Sequence, residues 1–333
     1  MTLSVGIRGL GRIGRNLFRL LYAREDVHIG AVSEIADPAG LEYLLRFDTV
    51  LGRFPDEVSI REGNIYSRGR QIPLVSDAGG AQTAWGELGV HTVLEATSRP
   101  RPRAELAKHL DAGAHRVISL APPEPSDPPD IVAVMGVNDE RLSSEHRVVS
   151  NASSTVHCAA PILTMLDDAF GIERALFTTV HSYTSQHRLA DVPSEDKRRG
   201  RAAAENIIPQ ASRSPAMLDD LLPNLAGRIT GTAMNVPVRN GSLVDLVCWH
   251  RKNVTPVAIN EVVRTAAATD RWSRYVHWDQ DPIVSSDVVG QSYSSIFDAP
   301  LTMVNGNLVK VVSWYDNEWG YSCRVVDLIQ KVA

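Results

Sequence analysis

The stretch LSVGIRGLGRIGRNLFRLL, Leu3 to Leu21, decides how the rest of the chain is read. Leu3 to Ile7 is a short apolar run of the kind a buried strand needs. Gly9, Gly11 and Gly14 then mark a G-x-G-x-x-G turn, after which Ile13, Leu17, Phe18 and Leu21 recur at helical spacing. A second strand-like run through Ile29, Ala31 and Val32 closes on the acidic Glu34. The glycine triplet alone is a weak signal. A strand before it, a helix after it and an acid ending the next strand make it a dinucleotide fingerprint. Gly9 permits the tight turn, Gly11 lets the backbone approach a pyrophosphate, and Gly14 lets helix and strand pack closely. The helix start offers free N–H groups to phosphate. Glu34 would accept hydrogen bonds from ribose hydroxyls and repel a 2′-phosphate, so NAD is expected over NADP. A glycine turn with no ligand is the plainer alternative.

Strand and helix keep alternating beyond this unit. HTVLEAT reads as a strand, RAELAKHLDAGA as a helix stopped by Gly113, and RVISL as another strand. Such alternation favours a parallel sheet with helices on both faces. After about Asn151 the strand-like stretches become longer and adjacent: ERALFTTV, RITGTAMNV, SLVDLVCWH and NLVKVVSW. One helix, near TPVAINEVVRTAA, lies among them. The chain is therefore expected to be α/β, with a Rossmann dinucleotide-binding domain over residues 1–150. An α+β catalytic domain with a mostly antiparallel sheet is expected over 151–319, and a final helix over 320–333 returning to the first domain.

Length and composition fit this reading. The 333 residues suffice for two domains, and 44% apolar with 22% charged residues is ordinary for a soluble globular protein. A net charge of −5 gives no reason to expect nucleic acid or an anionic membrane as partner. Cys158, Cys248 and Cys323 show no CxxC spacing, which speaks against disulfides and a cysteine zinc site, so no metal is expected. The N-terminus shows no signal peptide and no apolar run spans a bilayer, so a cytoplasmic chain is expected.

A second stretch, SNASSTVHCAAP from Ser150 to Pro161, looks like a turn that sets a nucleophile at a helix start. With GIRGLGRIGR, LEYLLRFDTVLGRF, WGELGV, TTVHSYTSQHRLADVP, RRGRAAAENIIP and SWYDNEWGYSCRVVDL, it makes the chain resemble the phosphorylating glyceraldehyde-3-phosphate dehydrogenases along nearly its whole length. The resemblance implies an NAD-binding domain, a catalytic domain and a homotetramer acting on a small phosphorylated or anionic substrate. In that family a cysteine thiolate adds to an aldehyde, a histidine activates the thiol, hydride leaves to nicotinamide, and phosphate releases an acyl phosphate. By resemblance the histidine is His181. Asn317 meets the nicotinamide amide, with Tyr321 beside it. Arg12, Ile13, Glu34, Thr97 and Ser119 meet the dinucleotide. Ser153, Thr155, Thr184 and one or more of Arg198, Arg199 and Arg201 meet substrate and phosphate oxygens. Val192 and Pro193 resemble the NAD-preferring members. Each has a plainer reading: His181 as a satisfied half-buried histidine, the arginines as solvated loop charge, Thr155 as a helix-start residue, Asn317 as a turn cap.

The departures concentrate at the site. The family pattern SNASCTTNC reads SNASSTVHC here, so Ser154 stands at the nucleophile position and His157 replaces an asparagine. Cys158 is one turn further along the helix, where a small buried residue is expected. The substrate-phosphate arginine of FRVPT is Asn235, and the threonine–glycine pair after IIP is Ser212 and Arg213. Arg8 and Ser98 also depart from the pattern. A helix start and a histidine can ionise a thiol near neutral pH, whereas a serine hydroxyl needs a base during attack. Three functions follow as expectations: a dehydrogenase of this type weakened by Ser154, a paralogue moving hydride to or from another substrate with His181 as base, or a non-catalytic NAD-binding protein.

Overall fold

The computed structural model describes residues 2–76 and 83–332. They form two compact units, one of Met1–Ala133, Asp139–Ala152 and Ser322–Ala333, the other of Val134–Asn138 and Ser153–Tyr321.

In the first unit, strand Leu3–Arg8 lies inside a nine-stranded sheet. Val27–Glu34 and Thr92–Glu95 flank it, both parallel. Arg116–Ser119, Val148–Ser150 and Ile131–Val132 extend the parallel ladder beyond Thr92–Glu95. Val5 and Ile7 on one face and Gly6 on the other are all buried, as a strand covered on both faces requires. The helix Arg12–Leu21 packs Leu17, Phe18 and Leu21 inward, and each buried side chain of this size stabilises the unit by about 1.5–3 kcal/mol.

Helix Pro38–Arg46 follows Val27–Glu34, and after it the expected alternation of strand and helix gives way to a run of short strands. Arg70–Ser76 pairs parallel with Val27–Glu34, but Asn64–Ser67 and Val58–Arg61 follow it as an antiparallel meander. Two tight turns explain this. Glu62 and Gly63 take φ 52° and 69°, and Arg68 and Gly69 take 51° and 72°. Two successive residues at positive φ fit the twist of a two-residue hairpin. The final helix runs Trp319–Lys331. Within the first unit Gln330 donates to Asp26 at 2.9 Å, Lys331 pairs with Asp139 at 3.1 Å, and Arg116 donates to the Val332 carbonyl. Ala333, the end of the expected helix, lies outside the described residues.

The second unit is built on a sheet ordered Ile208–Ala211, Ile229–Val236, Ile172–Ser182, Ser242–His250, Leu308–Tyr315, Ser295–Asp298, Val276–Asp279. Ile172–Ser182 with Ile229–Val236, and Val276–Asp279 with Ser295–Asp298, are parallel pairs in a mostly antiparallel sheet. The parallel register sets Asn235 opposite His181. Helix Ser154–Phe170 is buried from Thr155 to Leu166, Thr164 excepted, and emerges only in its last turn. Besides Pro256–Ala267, a helix over Ser214–Leu221 lies among the strands, which corrects the expectation of one. Its eight residues are too few for the apolar periodicity to stand out, and the signal was Ser-Pro at its start.

Candidate active site

In the first unit the glycine turn is shaped for a ligand. A Cβ at Gly14 would meet the Gly9 carbonyl oxygen at 1.9 Å, so only glycine lets the helix begin this close to the strand. Gly9 takes φ 92°, outside the range of other residues. A Cβ at Gly11 would meet nothing within 4 Å, so glycine here leaves open the space that a pyrophosphate needs. Gly11 caps the helix without a side chain, leaving the first N–H groups unshared with any cap. Glu34 accepts from Leu10 N–H at 2.6 Å and from Ile35 N–H at 2.7 Å, fixing the loop against the strand end. A cavity of about 170 Å³ opens here, lined by Arg8, Ser33, Glu34, Ile35, Thr97 and Ser98 with the glycines. These features fit a dinucleotide. Thr97 turns its hydroxyl to the buried Glu95, and Ser119 is buried beside Ala121. Arg12 and Ile13 are half-buried in the first helical turn.

In the second unit, Ser153 caps helix Ser154–Phe170, its Oγ accepting from Val156 N–H at 3.3 Å. The chain enters through Ala152 at φ 50°, a left-handed conformation that costs a non-glycine residue energy and turns the backbone sharply. Ser154 is the first helical residue and is half-buried. Its hydroxyl has no hydrogen-bond partner among the described residues. Next to it Thr155 bonds Tyr315 Oη at 2.9 Å, and Tyr315 also meets Thr179 at 2.8 Å. Burial raises the Tyr315 phenol well above its ordinary value, so it stays protonated. Cys158, one turn on, is fully buried against Ser295 and the Ser313 carbonyl, and burial pushes its thiol up to about 12. It is an inert core residue. His157 is buried edge-on to Tyr321, with ring centroids 5.9 Å apart.

His181 Nδ1 lies 2.7 Å from the Ser182 carbonyl. A carbonyl only accepts, so Nδ1 carries the proton and Nε2 keeps the lone pair of a base. Ser182 is a hub. Its N–H donates to Ser242 Oγ at 3.1 Å and its Oγ to Asn317 Oδ1 at 2.9 Å, and Ser242 Oγ donates to the same Oδ1 at 3.0 Å. Asn317 Oδ1 thus accepts twice, and neither bond uses its Nδ2 hydrogens. Nothing in the sequence pattern pointed to Ser182, Ser242, Gln210 or Tyr315, because their partners lie far along the chain.

The expected anion-binding residues separate into committed and exposed groups. Asn235 is 2% exposed; its Nδ2 donates to the Ser182 carbonyl at 3.0 Å and its Oδ1 accepts from Gln210. Arg199 Nε donates to Gln210 Oε1 at 3.0 Å. Arg201 pairs with Asp191 at 2.8 Å, and the Arg198 backbone N–H donates to Asp196. Thr184 N–H donates to His187 Nδ1 at 3.1 Å, and Thr184 Oγ1 lies 3.1 Å from the same nitrogen. Ser212 Oγ accepts from Ser214 N–H at 3.2 Å, and Arg213 is exposed at the start of its helix with no ion pair among the described residues.

Two family models match the chain. Glyceraldehyde 3-phosphate dehydrogenase, NAD binding domain, covers residues 3–101, and the C-terminal domain of the same family covers 153–317. The chain is 44% identical over 335 residues to the glyceraldehyde-3-phosphate dehydrogenase of Priestia megaterium, covering 100% of this chain and 99% of the relative. It is 44% identical, with the same coverage, to that of Geobacillus stearothermophilus. It is 45% identical to that of Streptomyces coelicolor, over 98% of both chains.

Proposed function

Because the chain belongs to the glyceraldehyde-3-phosphate dehydrogenase family, we propose that it is an NAD-dependent oxidoreductase of small aldehydes in which Ser154 stands in the nucleophile's place. The carrying observation is that the capped helix start presenting Ser154 and the histidine whose Nδ1 is tied to a carbonyl share Tyr315: Thr155 bonds its Oη at 2.9 Å, and the His181 ring meets it edge-on with centroids 6.0 Å apart. Gly9, Gly11, Gly14 and Glu34 would hold the pyrophosphate and ribose, and Asn317 the nicotinamide amide. NAD, when bound, supplies the hydride acceptor. Ser154 Oγ adds to the aldehyde carbon while His181 Nε2 takes the hydroxyl proton, giving a hemiacetal on serine. The Ser154 and Thr155 N–H groups at the helix start stabilise the oxygen that becomes negative. After oxidation the acyl group is a serine ester, and phosphate releases it less readily than from a thioester. Phosphorylating turnover is therefore expected to be slow. A homotetramer in the cytoplasm belongs to the same reading.

The commitment of Asn235 favours a second reading. A neutral, buried amide occupies the position where the family pattern has an arginine, so a phosphate there would meet no cation from this residue. A diverged paralogue would oxidise an alcohol with an uncharged end to a carbonyl, with His181 taking the hydroxyl proton, NAD accepting the hydride and no covalent step. Measuring NADH formation with the aldehyde phosphate plus inorganic phosphate, and with a panel of sugars and hydroxy acids, separates the readings. Tight NAD binding with silence across the panel would leave the chain a non-catalytic NAD-binding protein and sink both.

A further inference from the structure

We propose that Asn235 is a positioning residue for His181, bracing the Ser182 carbonyl that keeps the proton on Nδ1 and the lone pair on Nε2. The inference rests on His181 acting as the base. A carbonyl oxygen has two lone pairs, and the Ser182 oxygen receives two side-chain donors, His181 Nδ1 at 2.7 Å and Asn235 Nδ2 at 3.0 Å. Asn235 also lies directly across the parallel ladder from His181, with its Nδ2 3.5 Å from the His181 carbonyl.

The direction of this bonding is fixed at both ends. Arg199 is a guanidinium and can only donate; it donates to Gln210 Oε1. Gln210 must then present Nε2 to Asn235 Oδ1. Asn235 must present Nδ2 to the Ser182 carbonyl, which can only accept. No amide in the chain can flip without setting two donors or two acceptors against each other. The other polar atoms of Ser182 are held by Ser242 and Asn317, and the peptide that carries the carbonyl is held at its other end by Tyr183 N–H donating to the Val238 carbonyl at 3.1 Å. At 2% exposed, and with Oδ1 and Nδ2 both committed, Asn235 is spent on the protein and not on substrate. The position has exchanged a cation for a brace. A carbonyl held at Nδ1–H favours the protonated ring once Nε2 accepts a proton, so the brace supports whatever Nε2 deprotonates. Among the charged or titratable groups, Tyr315 meets the imidazole edge-on at 6.0 Å and Arg199 ends the donor chain; both stay in every test protein.

The test uses the full chain carrying Ser154→Cys, where the new thiol reports on Nε2 without any substrate. Its alkylation by iodoacetamide is followed across pH by mass spectrometry of the peptide, with NAD affinity and melting as folding controls. Adding Asn235→Leu should slow alkylation near neutral pH by roughly five- to tenfold, the effect of one lost hydrogen bond. It should also move the profile to higher pH, with NAD affinity unchanged. Gln210→Leu should move it the same way by less, and it decides the matter if Asn235→Leu does not fold. A profile that superimposes on the parent overturns the proposal. His181→Asn in the same background keeps the two ideas apart. If it shifts the profile and the Asn235 and Gln210 variants do not, the base stands and the brace falls. If it too leaves the profile unchanged, the reading of His181 as base has failed.

Discussion

Two helix starts in this chain are built from different materials. At Gly11–Arg12 the ligand seat is made of backbone: no side chain caps the helix, and Gly14 could not gain a methyl without striking the Gly9 carbonyl. At Ser153–Ser154 the seat is made of side chains: a serine cap, a serine at the first helical position and a histidine on a neighbouring strand. A backbone seat tolerates little change, so it keeps its shape while the surrounding sequence drifts. A side-chain seat keeps its shape and changes its chemistry with a single atom, oxygen for sulfur. The fold is indifferent to that exchange, because Ser154 is half-buried and makes no side-chain hydrogen bond among the described residues.

The comparison is most exposed to a methyl group at Gly14. Gly14→Ala should weaken NAD binding by roughly 10- to 100-fold, the equivalent of about 1–3 kcal/mol of overpacking. Calorimetry that finds affinity within twofold of the parent would break the account of the backbone seat. At the other helix start the expected effect is smaller. Ser153→Ala should lower stability to denaturant by about 1 kcal/mol, the usual worth of a serine cap, and leave NAD affinity unchanged. The smallest effect is a null one. Burial holds the Cys158 thiol protonated below about pH 12, so thiol alkylation of the native protein at pH 8 should leave it unlabelled. Labelling at Cys158 would mean that the helix opens more readily than its burial implies.

Much of the fold was legible because its determinants are local. The glycine turn, the helical spacing of Leu17 and Leu21 and the acid at Glu34 all fall within one unit. The meander was not legible because Glu62-Gly63 and Arg68-Gly69 make hairpin turns without the asparagine or aspartate that usually announces one. The site divides the same way. Ser154 and His181 were readable by position in motifs of the family. The groups that hold them were not, since Thr155 and Tyr315 meet across 160 positions and Ser182 and Asn317 across 135. The meaning of Asn235 was unreadable for the same reason: sequence gives the loss of a cation, and only the contacts with Gln210 and the Ser182 carbonyl give its new partners.

The central claim is that this chain keeps its dinucleotide seat and its base but lacks its thiolate. The direct measurement is NADH formation from glyceraldehyde 3-phosphate, NAD and phosphate, comparing the protein as it stands with Ser154→Cys. The account predicts a rise of roughly 100-fold or more, about 2.7 kcal/mol of barrier, with NAD affinity unchanged. A Ser154→Cys protein that binds NAD as tightly as the parent and turns over no faster would contradict it.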